Sequence, residues 1–119
     1  EARFGRAVTL ALDGRGALAE GEFNALAERA PGDPGAHFAR GYLLVQRGNL
    51  VAARASLQRA LGLLPRFPAA QLALGDLCRA TGDLPAARRA YAAFLREVPA
   101  GLEQEGPRVR QWLDNARPR

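Results

Sequence analysis

The chain has 119 residues, of which 48% are hydrophobic and 24% charged, and a formal net charge of +5. This length suits one domain, and the composition is ordinary for a globular protein. A single cysteine, Cys78, excludes an intrachain disulfide and a thiolate metal cluster. No apolar run is long enough for a membrane-spanning helix.

All 17 basic residues are arginine. They are scattered, so the bias of a GC-rich and therefore bacterial genome explains them better than an arginine-based anion site. No signal peptide is visible, and we expect a cytoplasmic location, or a periplasmic one if a signal or anchor was removed. Since the chain lacks methionine and helical repeats usually need polar caps, we expect it to be a piece of a longer protein.

The segment 1–33 is predicted to form two helices that meet around Gly14. Five of its members stand 34 positions before a matching or similar residue of the next segment. These pairs are Ala7 with Gly41, Gly14 with Gly48, Ala19 with Ala53, Phe23 with Leu57, and Pro31 with Pro65.

The segment 34–67 is predicted to form a helical hairpin. Asp33 and Pro34 make an N-cap followed by a proline in the first helical position, which predicts a helix to about residue 47. Gly48 supplies the left-handed turn that ends this helix, and Asn49 caps a second helix over residues 50–63.

The following segment repeats the hairpin. Residues 34–67 match residues 68–101 at 12 of 34 positions without a gap, where roughly four matches are expected by chance. Pro68 opens the third repeat and Gly82 turns it, as Pro34 and Gly48 do in the second. A repeat period of this length is typical of a helical solenoid. Small residues are expected to let the paired helices approach closely: Gly41, Ala53, Gly75 and Ala87.

After residue 101 the period stops, and Pro107 is predicted to open a last helix. Its apolar face would cover the open end of the third hairpin, with Trp112 packed in the core rather than anchoring a partner. That face carries Val109, Trp112, Leu113 and Ala116, and the opposite face Arg108, Arg110, Gln111, Asp114 and Asn115.

This pattern resembles the tetratricopeptide repeat family. The residues that carry the resemblance are Gly41 and Gly75, Gly48 and Gly82, Ala53 and Ala87, Leu57 and Tyr91, and Pro65 and Pro99. The chain departs from the family at His37 and Gln71, where an aromatic residue is typical, and at Arg40, where leucine is typical. The resemblance implies an all-α, right-handed solenoid of three antiparallel hairpins, residues 1–33, 34–67 and 68–101, with a C-terminal capping segment, residues 102–119.

The resemblance also implies a concave partner-binding groove built from the first helix of each hairpin. Its apolar stripe would accept an apolar or amphipathic peptide or helix, and a polar edge of Asp76 and Arg79 would fix the register of the ligand. The alternative is that neighbouring repeats of a longer parent cover these side chains. The predicted groove residues are Phe4, Val8, Phe38, Ala39, Tyr42, Val45, Leu72, Asp76 and Arg79.

Neither a catalytic cluster nor a metal or cofactor site is predicted. The acidic residue four positions before His37 is Asp33, which is predicted to cap the helix, and a buried structural role is favoured for Cys78. The family members that clamp an acidic C-terminus use cations at groove positions where this chain has Phe38, Ala39 and Leu72, so a carboxylate clamp is not expected.

We therefore predict a non-enzymatic scaffold that binds a partner protein, as part of a bacterial multiprotein assembly. Two alternatives remain open. The positive charge admits a helical-repeat module that binds nucleic acid, and the apolar stripe admits a weak homodimer. Neither a small-molecule substrate nor a membrane span is expected.

Overall fold

Six helices make up the regular structure of residues 16–115, the part of the chain that the computed structural model describes. The chain divides into two units, Glu1–Pro65 and Arg66–Arg119. The boundary lies two residues before the predicted end of the second repeat. The helices are α1 (Gly16–Arg29), α2 (Pro34–Gln46) and α3 (Leu50–Leu63) in the first unit, and α4 (Pro68–Thr81), α5 (Leu84–Arg96) and α6 (Glu105–Asn115) in the second.

The predicted hairpin α2–α3 is confirmed. The Asp33 side chain accepts a hydrogen bond of 2.9 Å from the Gly35 amide, which caps α2. Gly48, at φ 80°, reverses the chain, and the Asn49 amide donates to the carbonyl of Leu44. The Asn49 side chain makes no capping hydrogen bond, contrary to the prediction, so backbone bonds alone close this turn.

The hairpin α4–α5 has the same construction. Gly82 turns the chain at φ 88°, and the Asp83 amide donates to the carbonyl of Cys78. Here the side-chain cap does form, because Asp83 Oδ1 accepts from the Ala86 amide at 3.3 Å. Each hairpin therefore ends its first helix with a glycine whose positive φ other residues rarely adopt.

Close approach of the paired helices depends on one glycine in each hairpin. A Cβ atom at Gly41 would lie 2.9 Å from Leu57 Cγ, and one at Gly75 would lie 2.6 Å from Tyr91 Cε1. Carbon atoms pack at about 3.5–4.0 Å, so neither site has room for a methyl group. This confirms that Gly41 and Gly75 let the paired helices approach closely, as predicted.

Each unit has its own apolar core. In the first unit α1 packs on α2, and the buried cluster comprises Phe23, Leu26, Ala36, Ala39 and Leu43. In the second unit, four buried residues of α4, α5 and α6 form a cluster: Leu72, Tyr91, Phe94 and Val109.

Helix α6 begins at Glu105, two residues before the predicted start at Pro107. Proline is tolerated there because the amides of the first helical turn have no partner within the helix. Val109 is fully buried, and Trp112 and Leu113 pack against the core of the second unit, as predicted. Ala116 lies outside the described residues.

Helix α1 is the second helix of the divergent first repeat, and the predicted first helix of that repeat lies outside the described residues. Among residues 16–115, no helix is long and apolar enough to cross a membrane.

Candidate functional site

An aromatic pair on α2 consists of the half-buried Phe38 and the exposed Tyr42. Phe38 and Tyr42 stand one turn apart, with ring centroids 6.2 Å from each other and ring planes tilted by 34°. Tyr42 is 53% exposed, and Val45, one further turn along, is partly exposed. The spacing i, i+4, i+7 places the three side chains on one stripe of the helix, as the sequence predicts.

Two of the predicted groove residues are buried instead. Ala39 is 6% exposed and belongs to the core of the first unit, because one step along the helix from Phe38 turns its side chain towards α1. Leu72 is 9% exposed and packs with Tyr91 and Phe94. Their placement as surface residues is therefore corrected: each belongs to the core of its own unit.

Asp76 and Arg79, the predicted polar edge, contact α5 and α6. Asp76 accepts a hydrogen bond from the Tyr91 hydroxyl and two from the Arg108 guanidinium, at 2.9 and 3.3 Å. The Arg79 guanidinium lies over the Trp112 ring, with its Cζ atom 5.7 Å from the ring centroid. Both residues therefore hold α6 against its hairpin.

Arg108, predicted on the outer face of the last helix, instead pairs with Asp76 and also with Glu105, at 2.5 Å. A signal was present, because Arg108 precedes Trp112 by four residues and so shares its face. No sequence pattern identified Asp76 as the partner of Arg108, since the two residues lie 32 positions apart.

The hydroxyl of Tyr91 makes the contacts around Asp76 and Arg108 sensitive to pH. Burial, together with the hydrogen bond to Asp76, raises the pKa of Tyr91 above its ordinary value of about 10. The Tyr91 ring also meets the edge of Trp112, with centroids 5.2 Å apart. Ionisation of Tyr91 therefore opposes the packing of α6.

We expect stability to fall at alkaline pH through this residue. The unfolded chain releases the Tyr91 proton at lower pH than the folded chain. The contribution of Tyr91 to the free energy of unfolding is therefore complete below pH 10 and is lost as pH rises through the pKa of the folded state. Urea midpoints measured between pH 8 and 11 check this. The wild type should lose stability more steeply than Tyr91→Phe, and parallel profiles would contradict the assignment.

The remaining predicted residues separate into two groups. Phe4 and Val8 lie outside the described residues. His37 is buried, with its Nε2 atom 2.9 Å from the carbonyl of Pro31, and Cys78 is fully buried. Both therefore have the structural roles that the sequence favours, and among residues 16–115 no group of three His, Cys, Asp or Glu residues could hold a metal ion.

Comparison with known proteins gives a family and a fold. The sequence model of the tetratricopeptide repeat matches residues 1–34 and 36–101. A search of curated protein sequences gave no match. The all-α repeat fold is confirmed by solved structures of high similarity and low sequence identity.

Three of these structures are complexes with peptides or a binding region of another protein. The Yersinia enterocolitica type III secretion chaperone SycD, bound to a peptide of the translocator YopD, has a TM-score of 0.87 and 17% identity over 97% of this chain and 89% of its own. PcrH with the chaperone binding region of PopD has a TM-score of 0.86 and 16% identity, over 97% and 88%. The first repeat domain of Spaghetti (RPAP3), bound to an HSP90 peptide, has a TM-score of 0.81 and 17% identity, over 95% and 91%.

Proposed function

Because this chain belongs to the tetratricopeptide repeat family, we propose that it is a non-enzymatic scaffold that binds an apolar or amphipathic segment of a partner protein. The observation that carries the proposal is the aromatic pair Phe38–Tyr42, in which Phe38 is half-buried and Tyr42 is 53% exposed. Aromatic rings at a surface are typical of interaction sites. SycD, PcrH and Spaghetti were each solved with a segment of another protein, which supports a peptide ligand. The apolar character of the ligand is argued from the stripe on α2, since the HSP90 peptide SRMEEVD is acidic.

The stripe Phe38, Tyr42 and Val45 is proposed as the centre of the partner surface. Phe4 and Val8 hold the equivalent positions of the first repeat in the sequence register. In the second unit, Asp76 is paired with Arg108 and the Arg79 guanidinium lies over Trp112. Asp76 and Arg79 are proposed as separate partner contacts of that unit, already oriented by α6, which lowers the entropic cost of binding.

A matched pair of variants tests this surface. Tyr42→Asp places a charge at the centre of the stripe, whereas Gln58→Asp makes a new carboxylate on an exposed position of α3 in the same unit. Peptides selected from a displayed library against the wild type should be rich in apolar residues. Their dissociation constants, measured by fluorescence anisotropy, should rise about tenfold or more for Tyr42→Asp, because the peptide would have to desolvate the new charge.

The Gln58→Asp variant should bind like the wild type. Equal affinity of both variants for the selected peptides, with circular dichroism showing intact helices, would exclude this stripe as the partner surface. A cytoplasmic location in a bacterium and a place in a multiprotein assembly belong to the same proposal. Cell fractionation and photocrosslinking from position 42 test them.

A further inference from the structure

A pocket with charged and polar side chains in its wall lies beside α2 in the first unit, apart from the aromatic stripe. It consists of two cavities of about 320 and 300 Å³, which share His37 and Arg40 as common wall residues. Ser56 and Arg59 of α3 line the first cavity, and α1 lines the second. We call the two cavities together the Arg40 pocket. Its polar lining residues are Asn24, Glu28, His37, Arg40, Ser56 and Arg59.

The buried polar atoms without a hydrogen-bond partner among the described residues all belong to this pocket. They are Asn24 Oδ1, Arg40 Nε and Ser56 Oγ. Ser56 is only 3% exposed, so bulk water does not satisfy its hydroxyl. Unpaired buried donors destabilise a fold, and three unpaired polar atoms at one place require an explanation.

The third repeat shows that the hairpin does not need these polar groups. In the 34-residue register, Leu74 replaces Arg40 and Ala90 replaces Ser56. Leu74 packs against the buried cluster of Cys78, Ala86 and Ala87, and Ala90 is 4% exposed. The second repeat therefore holds an arginine and a serine where apolar residues fit the same construction.

Charge in the pocket favours a negative ligand. Arg40 and Arg59 bring two positive charges to the described lining, whose one carboxylate is that of the exposed Glu28 in the wall of the second cavity. Neither arginine forms an ion pair with another described residue. The unpartnered Arg40 Nε–H and Ser56 hydroxyl are donors, and guanidinium donors match the oxygens of carboxylates and phosphates. Each cavity also exceeds the roughly 30 Å³ that one water molecule takes in the liquid.

We propose that the Arg40 pocket binds a small oxyanion, a carboxylate or a phosphate, between the guanidinium groups of Arg40 and Arg59 and the hydroxyl of Ser56. The oxyanion supplies the acceptors that the Arg40 Nε–H and the Ser56 hydroxyl lack, whereas Asn24 Oδ1 is itself an acceptor and gains no partner from it. His37 keeps the wall in place, since its Nε2 atom is bound to the Pro31 carbonyl. This site is independent of the aromatic stripe, so Tyr42→Asp leaves it intact.

Titration with inorganic phosphate and, separately, with acetate tests the site at constant ionic strength. The Arg40 Nε–H signal in ¹H–¹⁵N NMR spectra should shift and saturate with one of the two anions. The preferred anion identifies the ligand as a phosphate or a carboxylate. The same anion should raise the melting temperature of the wild type, because it binds the folded state alone.

The double variant Arg40→Leu/Ser56→Ala, which carries the residues of the third repeat, should bind the anion about tenfold more weakly or not at all. Without anion it should melt at a higher temperature than the wild type, since the unpaired atoms of Arg40 and Ser56 are gone. This second readout distinguishes loss of the site from loss of the fold. Arg89→Leu, which removes the same charge at an exposed position of α5, is the control and should bind like the wild type.

Two results would overturn the proposal. One is the absence of saturable shifts with either anion, which would mean that the pocket holds only water. The other is binding that the double variant and Arg89→Leu weaken equally, because net positive charge alone would then explain it.

Discussion

Replacing Phe94 by alanine should lower the free energy of unfolding by about 3–5 kcal/mol. The Phe94 side chain is fully buried and joins residues from three helices, namely Leu72 of α4, Tyr91 of α5 and Val109 of α6. Alanine would leave a cavity that this cluster cannot fill without moving a helix. Since domains of this size are stable by only about 5–15 kcal/mol, the variant should be close to unfolding at room temperature.

Urea unfolding followed by circular dichroism measures this change, and Trp112 fluorescence locates it. Trp112 packs against the same cluster, so its emission should shift to longer wavelength when α6 loosens. Leu84→Ala in the same helix is the control, because Leu84 is 45% exposed and its truncation should cost less than about 1 kcal/mol. A similar loss for both variants would contradict the placement of Phe94 in the core.

Gly75→Ala is expected to destabilise the protein by about 1–3 kcal/mol, although alanine is the better helix former. The new methyl group would lie 2.6 Å from Tyr91 Cε1. Tyr91 cannot easily give way, because its hydroxyl donates to Asp76 and its ring packs against Trp112. The clash therefore outweighs the roughly 0.5–1 kcal/mol that alanine gains over glycine in a helix.

Gly21→Ala in α1 measures the gain in helix propensity alone, without a steric clash. No atom lies within 4 Å of a Cβ built at Gly21, so this substitution should raise the free energy of unfolding by about 0.5–1 kcal/mol. Chemical denaturation of both variants measures the two changes in the free energy of unfolding, which should have opposite signs. If Gly75→Ala stabilised the protein as Gly21→Ala does, the close approach of α4 and α5 would be wrong.

The helices and turns were open to prediction from the sequence because their determinants are local. Pro34 and Pro68 start two helices, and Gly48 and Gly82 end the same two helices. Each of these residues acts on positions within about one turn of itself. The 34-residue period then repeated this information and gave its register. Where local rules compete, prediction failed by small amounts, as at Asn49, whose side chain makes no cap, and at the start of α6.

The candidate surface was only partly predictable. Helical periodicity places Phe38, Tyr42 and Val45 on one stripe, and the structure leaves Tyr42 exposed there. Periodicity could not predict that Ala39 and Leu72 are buried, because their burial depends on which side chains of other helices cover them.

The sequence by itself determined the helical hairpins, their glycine turns and the repeat family, because proline, glycine and helical period act over a few residues. Only the tertiary structure decided what the polar residues do. Asp76 and Arg108 are 32 positions apart, and the Arg40 pocket draws on three helices. Such pairings depend on how helices approach in space, and a single sequence carries no local signal of that approach.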